Sequence, residues 1–351
     1  SADLRFEFLW NVANADVNLS VAPAIQTGRV HLFTTYFGAL PVLQADGTWC
    51  NGGIPQLANL SVHEANMLRD MESALPDPDF DGYIVVDYES WWPTWNSTGV
   101  AYRNASLALA RFEHPTSTEA ELEAIAIRDY ELTAQDFLLF TLSVGQRARP
   151  RARWGFYGYP RHGYYGFGPA VQRDNDRLHA LWNASQALFP SIYLPYKSGV
   201  DKPYSDNLAY VNGTLQEAVR CAATASVVPP VLPYTWARYH DGEPSALQLL
   251  TPNDTALEFL WPSNVAGVQG VVIWGSETKS SSPSLQQWLD TNAADFGGQT
   301  LGDGTVLVED AKARPTRQWP RPDVSGGSDP NMADYSDNWS PPPYHRCSLE
   351  E

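Results

Sequence analysis

The stretch Tyr83–Glu89, with the sequence YIVVDYE, carries an apolar run and then two carboxylates separated by one tyrosine. A short apolar run of this kind is typical of a buried strand. Because residues i and i+2 of a strand face the same way, we expect Asp87 and Glu89 to point to one side of the sheet. The sequence therefore predicts two neighbouring carboxylates at the end of a buried strand.

Three tryptophans follow this pair closely: Trp91, Trp92 and Trp95. Indole rings stack on the apolar faces of sugars, and a carboxyl group in partly apolar surroundings has a raised pKa that suits a general acid. The pattern is typical of a carbohydrate-cleaving site, and the alternative interpretation is a solvated strand end beside a surface aromatic cluster. No histidine lies close by in the sequence, so we expect no metal and no cofactor.

The composition describes a large folded protein. The chain has 351 residues, of which 43% are hydrophobic and 12% aromatic, with 13 Trp and 17 Tyr. This length fits one barrel domain with a sizeable core, and the aromatic content suits a protein that binds carbohydrate.

The charge argues against two classes of partner. A formal net charge of -17 and a pI near 4.7 oppose binding to nucleic acid and to anionic membrane surfaces. The same charge opposes a polyanionic polysaccharide at neutral pH, and this effect weakens in an acidic compartment, where carboxylates become protonated. We expect a polysaccharide as the partner and a monomeric protein that does not insert into a membrane.

Glycosylation sequons indicate the compartment. Asparagine, any residue but proline, then serine or threonine occurs several times more often than chance placement would give, which predicts secretion through a glycosylating pathway, to the exterior or to a lysosome-like acidic compartment. The candidate glycosylation sites are Asn18, Asn59, Asn96, Asn104, Asn183, Asn212, Asn253 and Asn338.

Two further features concern processing and disulfides. The start of the chain has no basic and apolar signal region, and no run of about 18 apolar residues occurs, so we expect a soluble and already processed protein. The three cysteines, Cys50, Cys221 and Cys347, allow at most one intramolecular disulfide. Their pairing cannot be read from the sequence.

Strand-like apolar runs alternate with helical stretches, which favours an α/β fold with a parallel sheet. Seven such strands would be enough to close a barrel. The predicted strands are Leu4–Trp10, His31–Tyr36, Tyr83–Glu89, Arg153–Gly158, Ser191–Pro195, Val227–Trp236 and Gly270–Gly275. The first predicted helix begins at Ser61, which can form a capping box with Glu64, and continues through Leu68 and Met71. The other predicted helices are Ser117–Gln146, Asp174–Leu188, Asn207–Ala225 and Ser284–Ala294. We therefore expect residues 1–314 to form a single domain and residues 315–351, rich in Pro, Gly, Ser and Asp, to form an extended tail.

Most predicted strands end in polar or aromatic residues, where the active sites of barrel enzymes lie. Beside Asp87 and Glu89, these strand-end residues are Tyr157, Tyr193, Tyr234, Trp274 and Ser276, and Tyr36 ends the second strand. Taken singly, each ring could serve core packing, but their shared position predicts one pocket with two carboxylates, phenols and an indole.

Several blocks of the chain resemble sequence blocks of the hyaluronidases, glycoside hydrolase family 56, and occur in the same order. The chain resembles this family over roughly residues 6–290. The matching blocks are Trp10–Asn11, Asn51–Gln56, Val86–Glu89, Trp154–Pro160, Leu181–Pro195, Val231–Tyr234 and Gly270–Ser276.

The resemblance implies a distorted TIM-like barrel of about seven strands and endo-cleavage after an N-acetylhexosamine with retention of configuration. By resemblance, Glu89 is the general acid and base, and Asp87 shares its proton or orients the substrate's acetamido group. Tyr157 and Tyr193 resemble the tyrosines that hold that group, and Trp274 resembles the ring that floors the sugar pocket. Tyr234 and Ser276 are carried over as substrate-binding residues.

Departures from the family concern the substrate. Where the family usually has Trp-Arg-Pro, this chain has Trp91, Trp92 and Pro93, so a guanidinium suited to a uronate is replaced by an indole. Three hypotheses follow: cleavage of hyaluronan or chondroitin with Arg161, Arg238 or another base in place of the lost arginine; cleavage of a neutral N-acetylhexosamine polymer or glycan; and a non-catalytic carbohydrate-binding protein. We rank cleavage of hyaluronan or chondroitin ahead of the other two hypotheses, because the family that this chain resembles acts mostly on glycosaminoglycans.

Overall fold

The computed structural model describes residues 5–240, 244–296 and 340–342. These residues group into two compact units, which are described separately. The first holds residues 5–39, 60–89 and 135–296 within the described ranges, and the second holds residues 40–59, 90–134 and 340–342. The expected domain boundary at residue 314 lies outside the described residues and stays a prediction.

The strands are β1 (Glu7–Ala13), β2 (Ile25–Gln26), β3 (Val30–Phe33), β4 (Val42–Leu43), β5 (Trp49–Cys50), β6 (Tyr83–Val86), β7 (Arg153–Phe156), β8 (Tyr234–Trp236) and β9 (Gly270–Ser276). The helices are α1 (Leu60–Ala74), α2 (Val100–Glu113), α3 (Glu119–Ala148), α4 (Pro169–Asp176), α5 (His179–Ala184), α6 (Tyr204–Ala222), α7 (Pro252–Thr255) and α8 (Ser282–Phe296). Within these described ranges, no helix is long and apolar enough to cross a membrane.

All the strands of the first unit pair in parallel. One sheet has the order β2-β1-β9-β8 and another the order β3-β6-β7. One further extended segment joins the two sheets by isolated parallel bridges. Its Phe189 pairs with Tyr157, which follows β7, and its Ser191 pairs with Tyr234 of β8. On the other side, β1 lies beside β3. The first unit is therefore a barrel-like parallel arrangement in which the carboxyl ends of the strands share one rim.

Side chains on alternating positions of these strands form a buried core. Apolar residues at i and i+2 face the same side, so β1, β6, β8 and β9 each contribute one or two of them. The cluster contains Leu9, Tyr83, Val85, Ala187, Phe189, Tyr193, Leu232, Tyr234, Trp236 and Val272. Gly155 of β7 lets the chain approach closely, because a Cβ there would collide with the carbonyl oxygen of Ala187.

The predicted strands Val227–Trp236 and Ser191–Pro195 are too long. The structure shortens the first to β8, since the prolines at 229, 230 and 233 cannot donate a backbone hydrogen bond to a neighbouring strand. In the second, only isolated bridges form beside Pro190. The predicted helix Asp174–Leu188 is wrong as one element, because α4 ends at Asp176 and α5 covers His179–Ala184.

The second unit contains α2, which the sequence analysis did not predict, and the hairpin of β4 and β5. Its tryptophans are held by backbone groups and buried polar groups of the same unit. Trp91 Nε1 donates to the carbonyl of Pro41 at 2.8 Å, and the backbone N of Trp95 donates to Glu131 at 2.9 Å. Cys50 is disulfide-bonded and Cys221 of the first unit is a free, buried thiol, whereas Cys347 lies outside the described residues.

Candidate active site

The carboxylates of Asp87 and Glu89 stand where β6 ends. Backbone pairing continues one residue past the strand, because Asp87 N donates to the carbonyl of Phe33 at 2.8 Å. Tyr88 between them is buried and donates its hydroxyl to the carbonyl of Phe37 at 2.6 Å, which directs its ring into the protein. Asp87 is half-buried and Glu89 is exposed. The extended backbone thus presents two carboxyl groups with different access to solvent.

The two carboxyl groups interact directly, and a hydrogen bond joins their side chains. Burial raises the pKa of Asp87 to about 7, and the negative charge of Glu89 and the hydrogen bond add to this effect. Asp87 Oδ1 is buried and has no hydrogen-bond partner among the described residues. No hydrogen bond at that oxygen therefore offsets the cost of a negative charge on the Asp87 carboxyl group. The pair therefore retains one proton up to about pH 7.

Three tyrosines from neighbouring strand ends surround the pair. The ring of Tyr157, which follows β7, lies 6.1 Å from that of Tyr193 and 5.1 Å from that of Tyr234 in β8. Burial raises the pKa of each phenol, and the charge of Asp87 adds to this at all three. These phenols stay protonated and can donate hydrogen bonds throughout the physiological pH range.

Two tryptophans continue this aromatic wall. The ring of Trp274 in β9 lies 5.8 Å from that of Tyr193 and 5.0 Å from that of Trp236. Trp236 was not predicted as a site residue, although its spacing is informative: it lies two residues after Tyr234 on one strand and so faces the same side. The rings form a continuous apolar surface next to the carboxyl pair.

Polar partners of the phenols were also missed. Tyr157 donates to Ser191 Oγ at 3.2 Å, and Tyr234 donates to Asn11 Oδ1 of β1 at 3.3 Å. The sequence predicted no site role for either residue: Asn11 belongs to one family block, and Ser191 belongs to another and begins a predicted strand. Nothing in their local sequence distinguishes them from other strand-end polar residues, since their partners are 34 and 223 residues away.

Five predicted substrate-binding residues lie outside this cluster of contacts. Ser276 is exposed at the end of β9, and Tyr36 is 63% exposed after β3. Burial lowers the pKa of Arg161, and the nearby charges of Asp174 and Tyr159 oppose this. The remaining two, Trp91 and Trp92, belong to the second unit. Their roles stay predictions.

Arg238 does not carry a free positive charge, contrary to our suggestion that it replaces the lost arginine. Its guanidinium donates to both oxygens of buried Glu277, at 3.1 and 3.0 Å, and also to Ser284 Oγ at 3.0 Å. A bidentate pair of this kind is a structural ion pair, and recruiting Arg238 for a substrate would leave the carboxylate of Glu277 buried and unpaired.

The predicted glycosylation sites differ in exposure. Five are exposed: Asn18, Asn59, Asn96, Asn183 and Asn253. Asn104 and Asn212 are half-buried, and Asn338 lies outside the described residues. Within the described ranges, no group of three or more His, Cys, Asp or Glu side chains could hold a metal ion.

A carboxyl pair at a strand end of a barrel-like sheet, bordered by phenols and indoles, is the arrangement of a glycoside hydrolase. Comparison with known proteins agrees with this class. The chain belongs to the hyaluronidase family of glycoside hydrolases, whose family model matches residues 5–296. The family predicted from the sequence is thereby confirmed.

Relatives and solved structures support the same assignment. Mouse hyaluronidase-1 (Mus musculus) is 35% identical over 278 residues, which are 74% of this chain and 58% of the mouse protein. The hyaluronidase of Polybia paulista is 33% identical over 67% of this chain and 82% of its own length. The crystal structure of bee venom hyaluronidase has a TM-score of 0.74 and 26% identity, covering 83% of this chain and 99% of that one. The predicted barrel-like α/β fold is confirmed, and the matched region spans less than two thirds of the mouse relative.

Proposed function

We propose that this protein is a secreted endo-β-N-acetylhexosaminidase that hydrolyses hyaluronan, chondroitin or both, with retention of configuration. The observation that carries the proposal is the hydrogen-bonded pair of Asp87 and Glu89 beside Tyr157 and Tyr193. A further support is the likeness to bee venom hyaluronidase, whose crystal structure in complex with a hyaluronic acid tetramer has a TM-score of 0.73 to this chain.

In the first step the nucleophile comes from the substrate. The carbonyl oxygen of its 2-acetamido group attacks the anomeric carbon and forms a ring, while the bond from that carbon to the glycosidic oxygen breaks. Glu89 gives its proton to the departing oxygen, which leaves as an alcohol. Because the acetamido oxygen is the nucleophile, neither Asp87 nor Glu89 has to attack the sugar from the opposite face, as the nucleophile of an ordinary retaining glycosidase does. This agrees with the position of both carboxyl groups on one strand end.

In the second step the cyclic intermediate is hydrolysed. Glu89, now a carboxylate, accepts a proton from water as the water oxygen bonds to the anomeric carbon. The acetamido oxygen is released, and Glu89 is protonated again. Because the anomeric carbon has been attacked twice from opposite sides, the product keeps the β configuration.

The surrounding rings have distinct roles in this proposal. The phenols of Tyr157 and Tyr193 hold the acetamido group and stabilise the positive charge that develops on it. Asp87 shares a proton with Glu89. Trp274 supplies the apolar floor for the reacting sugar, and Tyr234 contributes a further donor. The exposed face of Glu89 lets the leaving group and water reach its carboxyl oxygens.

Product analysis by mass spectrometry tests the function. We expect the wild type to release oligosaccharides with an N-acetylhexosamine at the reducing end from hyaluronan or chondroitin, faster at pH 4 than at pH 7 because the carboxyl pair then keeps its proton. A chitin oligomer offered in parallel serves as the neutral control. Cleavage of the chitin oligomer alone would favour the neutral-polymer hypothesis, and binding without cleavage of any substrate would favour a non-catalytic protein.

Trp92 tests the choice between charged and neutral substrates. Its place in the substrate site rests on the sequence resemblance, in which an arginine usually occupies this position. We expect Trp92→Arg to raise the ratio of hyaluronan to chitin-oligomer turnover roughly 10-fold, the effect of one charge-assisted pair with a uronate. The ratio of kcat/KM values measures this, with Trp92→Phe as the uncharged control. An unchanged ratio in Trp92→Arg would show that this position does not select the substrate.

A further inference from the structure

Glu258 is a fully buried carboxyl group that the mechanism above does not use. It lies in the middle of a π-helical turn, Ala256–Leu260, and its side chain is 0% exposed. Isolated π turns interrupt helical hydrogen bonding and occur often at functional sites. A carboxyl group is costly to bury unless its oxygens are well hydrogen-bonded, so its partners indicate what it holds in place.

The two oxygens of Glu258 connect two segments of the active-site wall. Oε1 accepts a hydrogen bond from the backbone N of Leu194 at 2.8 Å. Oε2 accepts from the hydroxyl of Thr235 at 2.6 Å and from the backbone N of Trp236 at 3.1 Å. Leu194 directly follows Tyr193, and Thr235 directly follows Tyr234. One side chain therefore joins the backbones that carry both tyrosines.

Both protonation states of Glu258 can make this connection. Burial raises the pKa of Glu258 to about 8, and hydrogen bonds from Thr235, Trp236 and Leu194 oppose the rise. Whether protonated or not, each carboxyl oxygen keeps a lone pair for the backbone amide it faces. The nitrogen of a glutamine amide has no such lone pair, so Glu258→Gln leaves one of the two backbone amides without its acceptor while nearly preserving shape.

We propose that Glu258 is a positioning residue for the hydrolysis, which holds the phenols of Tyr193 and Tyr234 in the geometry that the reaction requires. This inference rests on the proposed function. If the phenol of Tyr193 acts on the charge that develops during the reaction, a small displacement of its backbone lowers kcat more than it weakens substrate binding. A residue that serves only stability lowers the folded fraction and leaves kcat per folded molecule unchanged.

Asp254 provides a matched control. It is also 0% exposed and lies four residues before Glu258. Its carboxylate accepts hydrogen bonds from the backbone N of Ser198 at 3.0 Å, from Ser198 Oγ, and from the hydroxyl of Tyr239 at 2.5 Å. It anchors segments that carry none of the proposed reacting groups, so Asp254→Asn disturbs a comparable buried network without the same consequence.

The experiment compares steady-state kinetics on hyaluronan with thermal unfolding. We expect Glu258→Gln to lower kcat per folded molecule roughly 10- to 100-fold and to leave KM within about 3-fold. Asp254→Asn should lower the unfolding temperature to a similar degree and keep kcat close to that of the wild type. Equal kcat for wild type and Glu258→Gln, or an equal loss of kcat in Asp254→Asn, would overturn the inference. No turnover by the wild type would instead overturn the proposed function, and this inference with it.

A double-mutant cycle separates positioning from general damage. If Glu258 acts through Tyr193, the loss of kcat caused by Glu258→Gln should shrink to about 3-fold or less in a Tyr193→Phe background, because the phenol it positions is already gone. Independent effects would multiply and overturn the proposal. If Glu258→Gln does not fold, Thr235→Val removes the arm of the same anchor that holds the Tyr234 segment, and its cycle with Tyr234→Phe must show the same non-additivity.

Discussion

Glu89→Gln is expected to lower kcat on the cleaved polysaccharide by roughly 10³- to 10⁴-fold, because glutamine can neither give a proton to the glycosidic oxygen nor take one from water. One side chain serves both steps of the proposed reaction, so the loss should reach the upper end of the range for general acid and base catalysis. KM should change little, since the amide keeps the size of the carboxyl group and the aromatic wall that binds the sugar is untouched.

The measurement is kcat and KM for hyaluronan, followed by direct binding of an oligosaccharide to the inactive variant. Glu123 of α3 offers a matched control, because it is an exposed glutamate on a helix surface. Glu123→Gln should behave as the wild type. A Glu89→Gln variant that retains more than about a tenth of wild-type kcat would remove Glu89 from the role of general acid.

The strands that place the carboxyl pair could be predicted, because their signal is local. Four buried residues in β6 followed by Asp87 and Glu89 settle both the strand and the side that the carboxylates face. Where prolines interrupt an apolar run, as at 229, 230 and 233, the strand signal overestimates the length, since apolar character is retained but backbone donors are lost. The helix α2 was missed although its buried residues Tyr102, Ala105 and Leu109 recur at helical spacing.

The candidate site could be predicted only in part. The spacing of Asp87 and Glu89 and the strand-end tyrosines follow from the sequence, whereas the roles of Tyr157, Tyr193 and Trp274 came from the family resemblance. Glu258 could not have been found in this way, since its partners Leu194 and Trp236 are 64 and 22 residues away. A buried carboxyl group becomes significant only when the structure shows which backbone amides it accepts from.

Asp87→Asn is expected to lower kcat roughly 10²-fold and to change the pH dependence of the reaction, which separates its role from that of Glu89. In the wild type the pKa of Asp87 is raised to about 7, mainly by burial and further by Glu89. A raised carboxyl pKa means that the pair holds its shared proton below about pH 7 and loses it above. Activity that requires this proton should therefore fall as the pH rises through about 7.

Asparagine cannot share a proton in this way, nor does it carry a negative charge that favours the protonated form of its neighbour. In Asp87→Asn the fall in kcat/KM at high pH should therefore move by at least about one pH unit toward acid. The pH profile of kcat/KM from pH 3 to pH 9 measures this, and Asp79→Asn is the control because Asp79 is exposed and pairs only loosely with Arg151, at 3.6 Å. A profile that loses amplitude without shifting would mean that Asp87 orients the substrate's acetamido group and does not share the proton of Glu89.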